Sequence, residues 1–155
     1  MQFIDLKSRH QLIKEQINAR VQTVMEHGQF ILGPEVKELE QKLAEYVGCK
    51  HCISVCSGTD SLLIALMALG VCSGDEVITV PYTWISTAEV IALLGATPVF
   101  VDIRRDTLNI DEDLIEESIT SKTRAIVVVH YAGVSCEMEK IISIANKYNL
   151  YVIED

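Results

Sequence analysis

Basic residues are scarce in this sequence and aromatic ones scarcer. Thirteen Lys and Arg stand against 22 Asp and Glu, for a net charge of −9, and aromatics make up 6% of the 155 residues. With no basic cluster and no row of aromatic faces for bases, the composition argues against nucleic acid as a partner. The opening Met1-Gln2-Phe3-Ile4-Asp5 lacks the basic stretch and apolar run of a secretory signal, and no apolar run is long enough to span a bilayer. A cytoplasmic address and no membrane partner are therefore expected. Neither G-x-G-x-x-G nor G-x-x-x-x-G-K-[ST] occurs, which argues against dinucleotide and nucleoside-triphosphate binding. Internal repeats, low-complexity segments and linkers are also lacking.

Five cysteines, an odd number scattered along the chain, suit reduced thiols better than a disulfide framework. Cys49-Lys50-His51-Cys52, with Cys56 beyond, contains a C-x-x-C. The pair precedes an apparent strand instead of sitting where a strand gives way to a helix, and no second C-x-x-C completes a zinc set. Small apolar thiols of a core are the simpler reading, and no metal is expected.

What the chain does have is 49% hydrophobic and 23% charged residues, enough to bury a real core. Leu12, Ile13, Ile17, Val21, Val24 and Met25 recur at helical spacing over 8 to 27, ahead of Gly28. Pro34 opens a second helix through Val36, Leu39, Leu43 and Val47, ending at Gly48. Thereafter short β-rich runs, Cys52 to Val55, Glu76 to Val80, Pro98 to Asp102, Ala125 to Val129 and Tyr151 to Ile153, alternate with helical stretches at 59 to 69, 85 to 94, 111 to 119 and 137 to 148. Strands apolar on both faces and alternating with helices predict an α/β fold with a mainly parallel sheet under covering helices. The division expected is an N-terminal helical segment, 1–48, and an α/β part, 49–155. The last strand reaches Glu154-Asp155 and the chain stops without a covering helix, so truncation is expected.

Ligands of open α/β sheets collect beyond the carboxyl ends of the strands. Those ends carry Cys56-Ser57-Gly58-Thr59-Asp60-Ser61, Pro81-Tyr82-Thr83-Trp84, His130-Tyr131-Ala132-Gly133 and Asp155. The Ser57 to Asp60 turn at a helix start suits a phosphate, through free N–H groups and the helix dipole, or is ordinary N-capping by Ser57 or Thr59. Trp84, the single tryptophan, covers a planar ring or packs under a loop. Asp155 pairs with a cation or strong donor, a protonated pyridine nitrogen being one, or is solvated. His130 is a substrate contact or a hydrogen-bonded core histidine. Asp111, Glu112, Asp113, Glu116 and Glu117 form a solvated helix start, not a metal site.

Gln29 to Val36, Ser57-Gly58-Thr59-Asp60-Ser61-Leu62, Gly74 to Thr79, Tyr82 to Ala88, Leu94 to Val99, His130-Tyr131-Ala132-Gly133 and Val152-Ile153-Glu154-Asp155, taken as an ordered set, resemble the DegT/StrS family of sugar aminotransferases. The likeness covers essentially the whole chain. It implies the fold type I architecture of aspartate aminotransferase, pyridoxal 5′-phosphate (PLP) as cofactor and a homodimer. The reaction implied transfers an amino group from glutamate to a keto nucleotide sugar. On this resemblance 49–155 is an incomplete PLP-binding large domain. Gly58, Thr59 and Asp60 hold the phosphate, Trp84 stacks on the pyridine ring, and Asp155 pairs with its nitrogen. The rim segment Tyr82 to Thr87 and His130-Tyr131 lie where the family meets cofactor or sugar, with Tyr82, His130 and Tyr131 as the substrate contacts.

The Schiff-base lysine of the family lies downstream of the Glu-Asp motif, beyond this sequence, so no catalytic residue is assigned. Lys7, Lys14, Lys37, Lys42, Lys50, Lys122, Lys140 and Lys147 fall on predicted helices or loops, and the isolated chain is expected to be inactive. Some relatives carry histidine in place of that lysine and are sugar dehydratases. A dehydratase, a non-catalytic binding or regulatory relative and a Rossmann-type domain are the competing readings. The motifs divide between relatives acting on 3-keto sugars (Phe3-Ile4-Asp5-Leu6, Gln29 to Val36) and on 4-keto sugars (Val101 to Ile110, His130 to Cys136).

Overall fold

The structure, a computed structural model, describes residues 4–155, so Phe3 of the opening motif lies outside the described residues. The chain divides into two compact units, one running through Ser54 and the other Val55–Asp155.

In the first unit, α1 (Leu6–His27) starts where the Asp5 carboxylate accepts from the Ser8 N–H at 3.0 Å and the Ser8 hydroxyl at 2.6 Å. That bond satisfies a first-turn donor with no acceptor inside the helix. The helix ends at Gly28, whose φ of 68° a side chain would resist. α2 (Pro34–Val47) opens on a proline, whose missing N–H matters least at the first position. Arg20 donates twice to Glu38, at 3.0 and 2.9 Å, and Lys42 donates to the same carboxylate at 2.6 Å. These donors, Lys42 foremost, hold the Glu38 carboxyl below its usual range. Neither helix buries a residue; Leu12, Ile13, Ile17, Val21 and Met25 of α1 are exposed.

The second unit runs α3 (Gly58–Ala68), β1 (Glu76–Thr79), α4 (Ser86–Leu93), β2 (Thr97–Phe100), β3 (Thr123–Val128), α5 (Met138–Tyr148) and β4 (Tyr151–Glu154). The strands form one parallel sheet in the order β2-β1-β3-β4. Alternation along β1 and β3 sorts the core onto two faces. Val77, Ala125 and Val127 pack with Leu62 and Leu66 of α3 and Val90 and Ile91 of α4; Ile78, Val80, Ile126 and Val128 pack with Ile141, Ile144 and Ala145 of α5. The chain leaves β1 toward β2 and then crosses back to β3 on the other side, so the direction of winding reverses between β1 and β3. In open α/β sheets ligands collect at the carboxyl ends of the strands beside such a reversal. Among the described residues no helix is long and apolar enough to cross a membrane.

Two expected elements are absent. Cys52 to Val55 is not a strand: the run has no ladder partner among the described residues, and Ile53 is 78% exposed. A strand is defined by its neighbours, and an apolar extended run without one remains irregular. Nor is 111 to 119 a helix; it forms turns and a single 3₁₀ turn, Glu116–Ser118. The Asp111 carboxylate accepts from the Asp113 N–H at 3.1 Å and its carbonyl from the Leu114 N–H, a side-chain turn that competes with helical bonding. Buried Glu112 is drawn instead to Arg104, whose Nη1 donates to it at 2.8 Å.

Ile126, fully buried in the central strand β3, and exposed Arg124, at the irregularity in its register with β1, test which positions of the strand carry stability. Ile126→Ala should lower unfolding free energy by about 2–5 kcal/mol. Arg124→Ala should cost under about 1 kcal/mol. Urea denaturation followed by circular dichroism measures both.

Candidate functional site

The rim at the carboxyl ends of β1, β3 and β4 is assembled from three kinds of contact. The first is backbone. Beyond β3 and β4, Asp155 N–H donates to Val128 O at 2.8 Å and His130 N–H donates to Asp155 O at 2.9 Å. The ladder thus continues one residue past β4 and sets Asp155 beside His130.

The second is a set of hydroxyls at helix starts. Ser57 caps α3, its hydroxyl oxygen accepting from the Asp60 N–H at 3.1 Å while its O–H donates to the Asp60 carboxylate at 2.8 Å. Asp60 is therefore engaged in closing the turn. The N–H groups of Gly58 and Thr59, in the first turn, have no acceptor within the helix. A Cβ added to Gly58 would meet nothing within 4 Å, so there is open space beside this turn. The Thr59 hydroxyl turns away and donates to Ser86 Oγ at 3.0 Å, tying the start of α3 to that of α4. The next residue, Thr87, donates to Asp155 Oδ2 at 2.8 Å. Ser86 and Thr87 are both buried. Both residues close the rim segment Tyr82 to Thr87, but nothing in the sequence names the partner of either hydroxyl.

The third is a pair of loops. Tyr82, after β1, and Tyr131, after β3, meet across the reversal point with ring centroids 5.1 Å apart and a 3.2 Å bond between the phenols. That bond raises the Tyr82 phenol above its ordinary range, desolvation adding to it. His130 Nδ1 accepts from the Cys136 N–H at 3.1 Å, which leaves the ring proton on Nε2, facing Glu154 at 2.8 Å. Both nitrogens are thus engaged with protein groups. Asn109, 2% exposed, accepts from the Tyr131 N–H at 3.0 Å and donates to Val134 O at 2.9 Å. It brackets a turn in which Ala132 takes a left-handed φ of 52°. Asn109 was not singled out in the sequence, where a lone amide between Leu108 and Ile110 carries no motif.

The structure therefore brings Thr59, Tyr82, His130, Tyr131 and Asp155 together through named contacts, whereas Trp84, 75% exposed, is not part of the core. The Ser57 turn belongs with them through Thr59, although it follows an irregular segment instead of a strand.

The family described as the DegT/DnrJ/EryC1/StrS aminotransferase family matches residues 11–155. The UDP-2-acetamido-2-deoxy-3-oxo-D-glucuronate aminotransferase of Pseudomonas aeruginosa is 53% identical over 155 residues, 100% of this chain and 43% of that protein. The dTDP-3-amino-3,6-dideoxy-alpha-D-galactopyranose transaminase of Aneurinibacillus thermoaerophilus is 46% identical over 153 residues, 99% of this chain and 42% of that protein. The crystal structure of NtdA from Bacillus subtilis, with bound cofactor PMP, matches at a TM-score of 0.87 and 39% identity, over 90% of this chain and 32% of that one. The chain thus spans less than half the length of the curated relatives it matches.

Two outcomes follow from this geometry. Asn109→Ala removes a buried donor and acceptor from the Tyr131 to Val134 turn and should lower stability by about 1–3 kcal/mol. The Tyr131 amide should then exchange with deuterium faster, as read by NMR. Burial pushes the Cys136 thiol above its ordinary range. At pH 8 it should be the slowest of the five cysteines to react with a thiol reagent, mass spectrometry following each site.

Proposed function

The chain belongs to the DegT/DnrJ/EryC1/StrS aminotransferase family, and we propose that it forms the cofactor cradle of a PLP-dependent enzyme of that kind. The amino group would pass from glutamate to a nucleotide-linked sugar bearing a keto group at position 3. The observation that carries this reading is the pair of hydroxyl bonds made by consecutive residues of α4, Ser86 accepting from Thr59 and Thr87 donating to Asp155. They join an anion-binding helix start to a carboxylate.

The residues fit the cofactor. Open N–H groups at Gly58 and Thr59 suit a phosphate dianion, which the start of α3 also favours by its dipole. The Asp60 side chain and N–H are both engaged with Ser57, so its part in the cradle is to close the turn that presents Gly58 and Thr59. Asp155 presents a carboxylate to a protonated ring nitrogen, and exposed Trp84 has a flat face available to cover the ring. PLP, when bound, supplies an electron sink that loosens the C–H bond beside the transferred nitrogen. Tyr82 and Tyr131 offer the sugar side phenols whose spacing their mutual bond sets, and His130 acts there by holding its loop. A sugar substituted at position 3 is favoured by the names of both curated relatives, one a 3-oxo and one a 3-amino compound.

The catalytic amine is proposed to come from outside these 155 residues. In the second unit Lys122 precedes β3, at the end of the strand opposite the rim, while Lys140 and Lys147 on α5 pair with Asp113 and Glu116. Homodimerisation and a cytoplasmic location complete the reading.

The test compares the natural full-length protein with the 155-residue chain, using PLP, glutamate and a UDP-linked 3-keto sugar. The full-length protein should aminate the sugar and retain PLP on borohydride reduction, and the short chain should do neither. Trp84→Ala in the full-length protein should weaken PLP binding about threefold to tenfold while leaving its urea midpoint nearly unchanged. Equal loss of binding and folding would assign Trp84 to packing alone, and turnover by the short chain would place the amine within it.

A further inference from the structure

Threonine inside a helix ordinarily returns its hydroxyl to the carbonyl one turn back. Thr23 of α1 does so, donating to Ala19 O at 3.1 Å. Thr87 does not. Its side chain, in the first turn of α4, reaches Asp155, 68 residues along the chain, at 2.8 Å. Thr87 is 3% exposed, so a hydroxyl deprived of this acceptor would be stranded away from water. Asp155 is an exposed residue whose main chain is already fixed by Val128 and His130. Its side-chain torsions are the freedom left to it, and the bond to Oδ2 removes that freedom while leaving Oδ1 outside the bond.

The same turn of α4 holds the other end of the cradle, since Ser86 Oγ accepts from Thr59 beside the open N–H groups of α3. From the juxtaposition of buried Thr87 with Asp155 Oδ2 we infer that Thr87 is a positioning residue. It aims the Asp155 carboxylate so that one oxygen is committed to the protein and the other is presented to the ring nitrogen of PLP. This rests on the reading of Asp155 as the partner of that nitrogen. Thr87 touches neither cofactor nor substrate here; its effect passes through Asp155.

The natural full-length protein provides the test, read as the dissociation constant for PLP by quenching of intrinsic fluorescence. Thr87→Val keeps the shape and removes the donor, and it should weaken binding about tenfold, as loss of a hydrogen bond to a charged group does. Thr87→Ser should bind within about twofold of the natural protein, because it keeps the hydroxyl. Asp155→Asn should weaken binding at least as much as Thr87→Val. The double variant Thr87→Val, Asp155→Asn should bind no worse than Asp155→Asn alone, since a residue acting through another has nothing to add once that other is gone. Losses that simply multiply in the double variant would overturn the inference by assigning Thr87 a general structural effect. Natural affinity in Thr87→Val with weakened binding in Asp155→Asn would sink the role of Thr87 and leave the reading of Asp155 intact. Natural affinity in both would remove the reading of Asp155 itself. Should Thr87→Val unfold, Thr87→Ala measured in the presence and absence of the Asp155→Asn change gives the same comparison.

Discussion

Parallel pairing of β1 with β3 is the constraint on which the second unit rests. These two strands have neighbours on both edges and helices on both faces, so their side chains alternate between two separate apolar layers. Val77 opposite Ala125 and Ile78 opposite Ile126 fix the register. A slip by one residue would exchange the layer packed on α3 and α4 with the layer packed on α5. The winding also reverses between the same two strands, so the loops after them, at Tyr82 and Tyr131, leave in opposite directions from neighbouring ends. The pairing that makes the core thus also places Tyr82 opposite Tyr131.

Much of this was legible in the amino-acid order, for an identifiable reason. Fully buried strands announce themselves as short runs of Val, Ile and Ala, and α2, α3 and α5 carry their own start or stop signals at Pro34, Ser57 and Asn149. The Cys52 to Val55 run has the same composition but lacks a neighbour, and composition cannot show whether a neighbour exists. The acidic stretch at 111 to 119 has helical spacing in Ile115 and Ile119, yet Asp111 bonds to its own following residues and Glu112 is claimed by Arg104. Of the site, the residues at strand ends were legible because strand ends are. Their supports were not: Asn109, Ser86 and Thr87 act across 22, 27 and 68 residues, and no local pattern encodes such distances.

The site's charge is arranged economically. A chain with a net charge of −9 leaves the Gly58 and Thr59 N–H groups without a helical acceptor at the start of α3 and engages the nearby carboxylate, Asp60, with the capping Ser57. Neutral hydroxyls, not ion pairs, link the helix starts to each other and to Asp155, and their bonds escape the desolvation penalty that buried charges carry.

The excursion between β2 and β3 has a kinetic consequence through Asn109. The turn at Tyr131 to Val134 has its main chain bound from a side chain 22 residues earlier, so its shape cannot be set by local preference alone. Ile110, the neighbour of Asn109, is buried in the layer under α5, so the packing of that layer carries the amide to the turn. Contacts of such separation raise the contact order of the domain, and chains rich in them fold more slowly than chains held by local contacts.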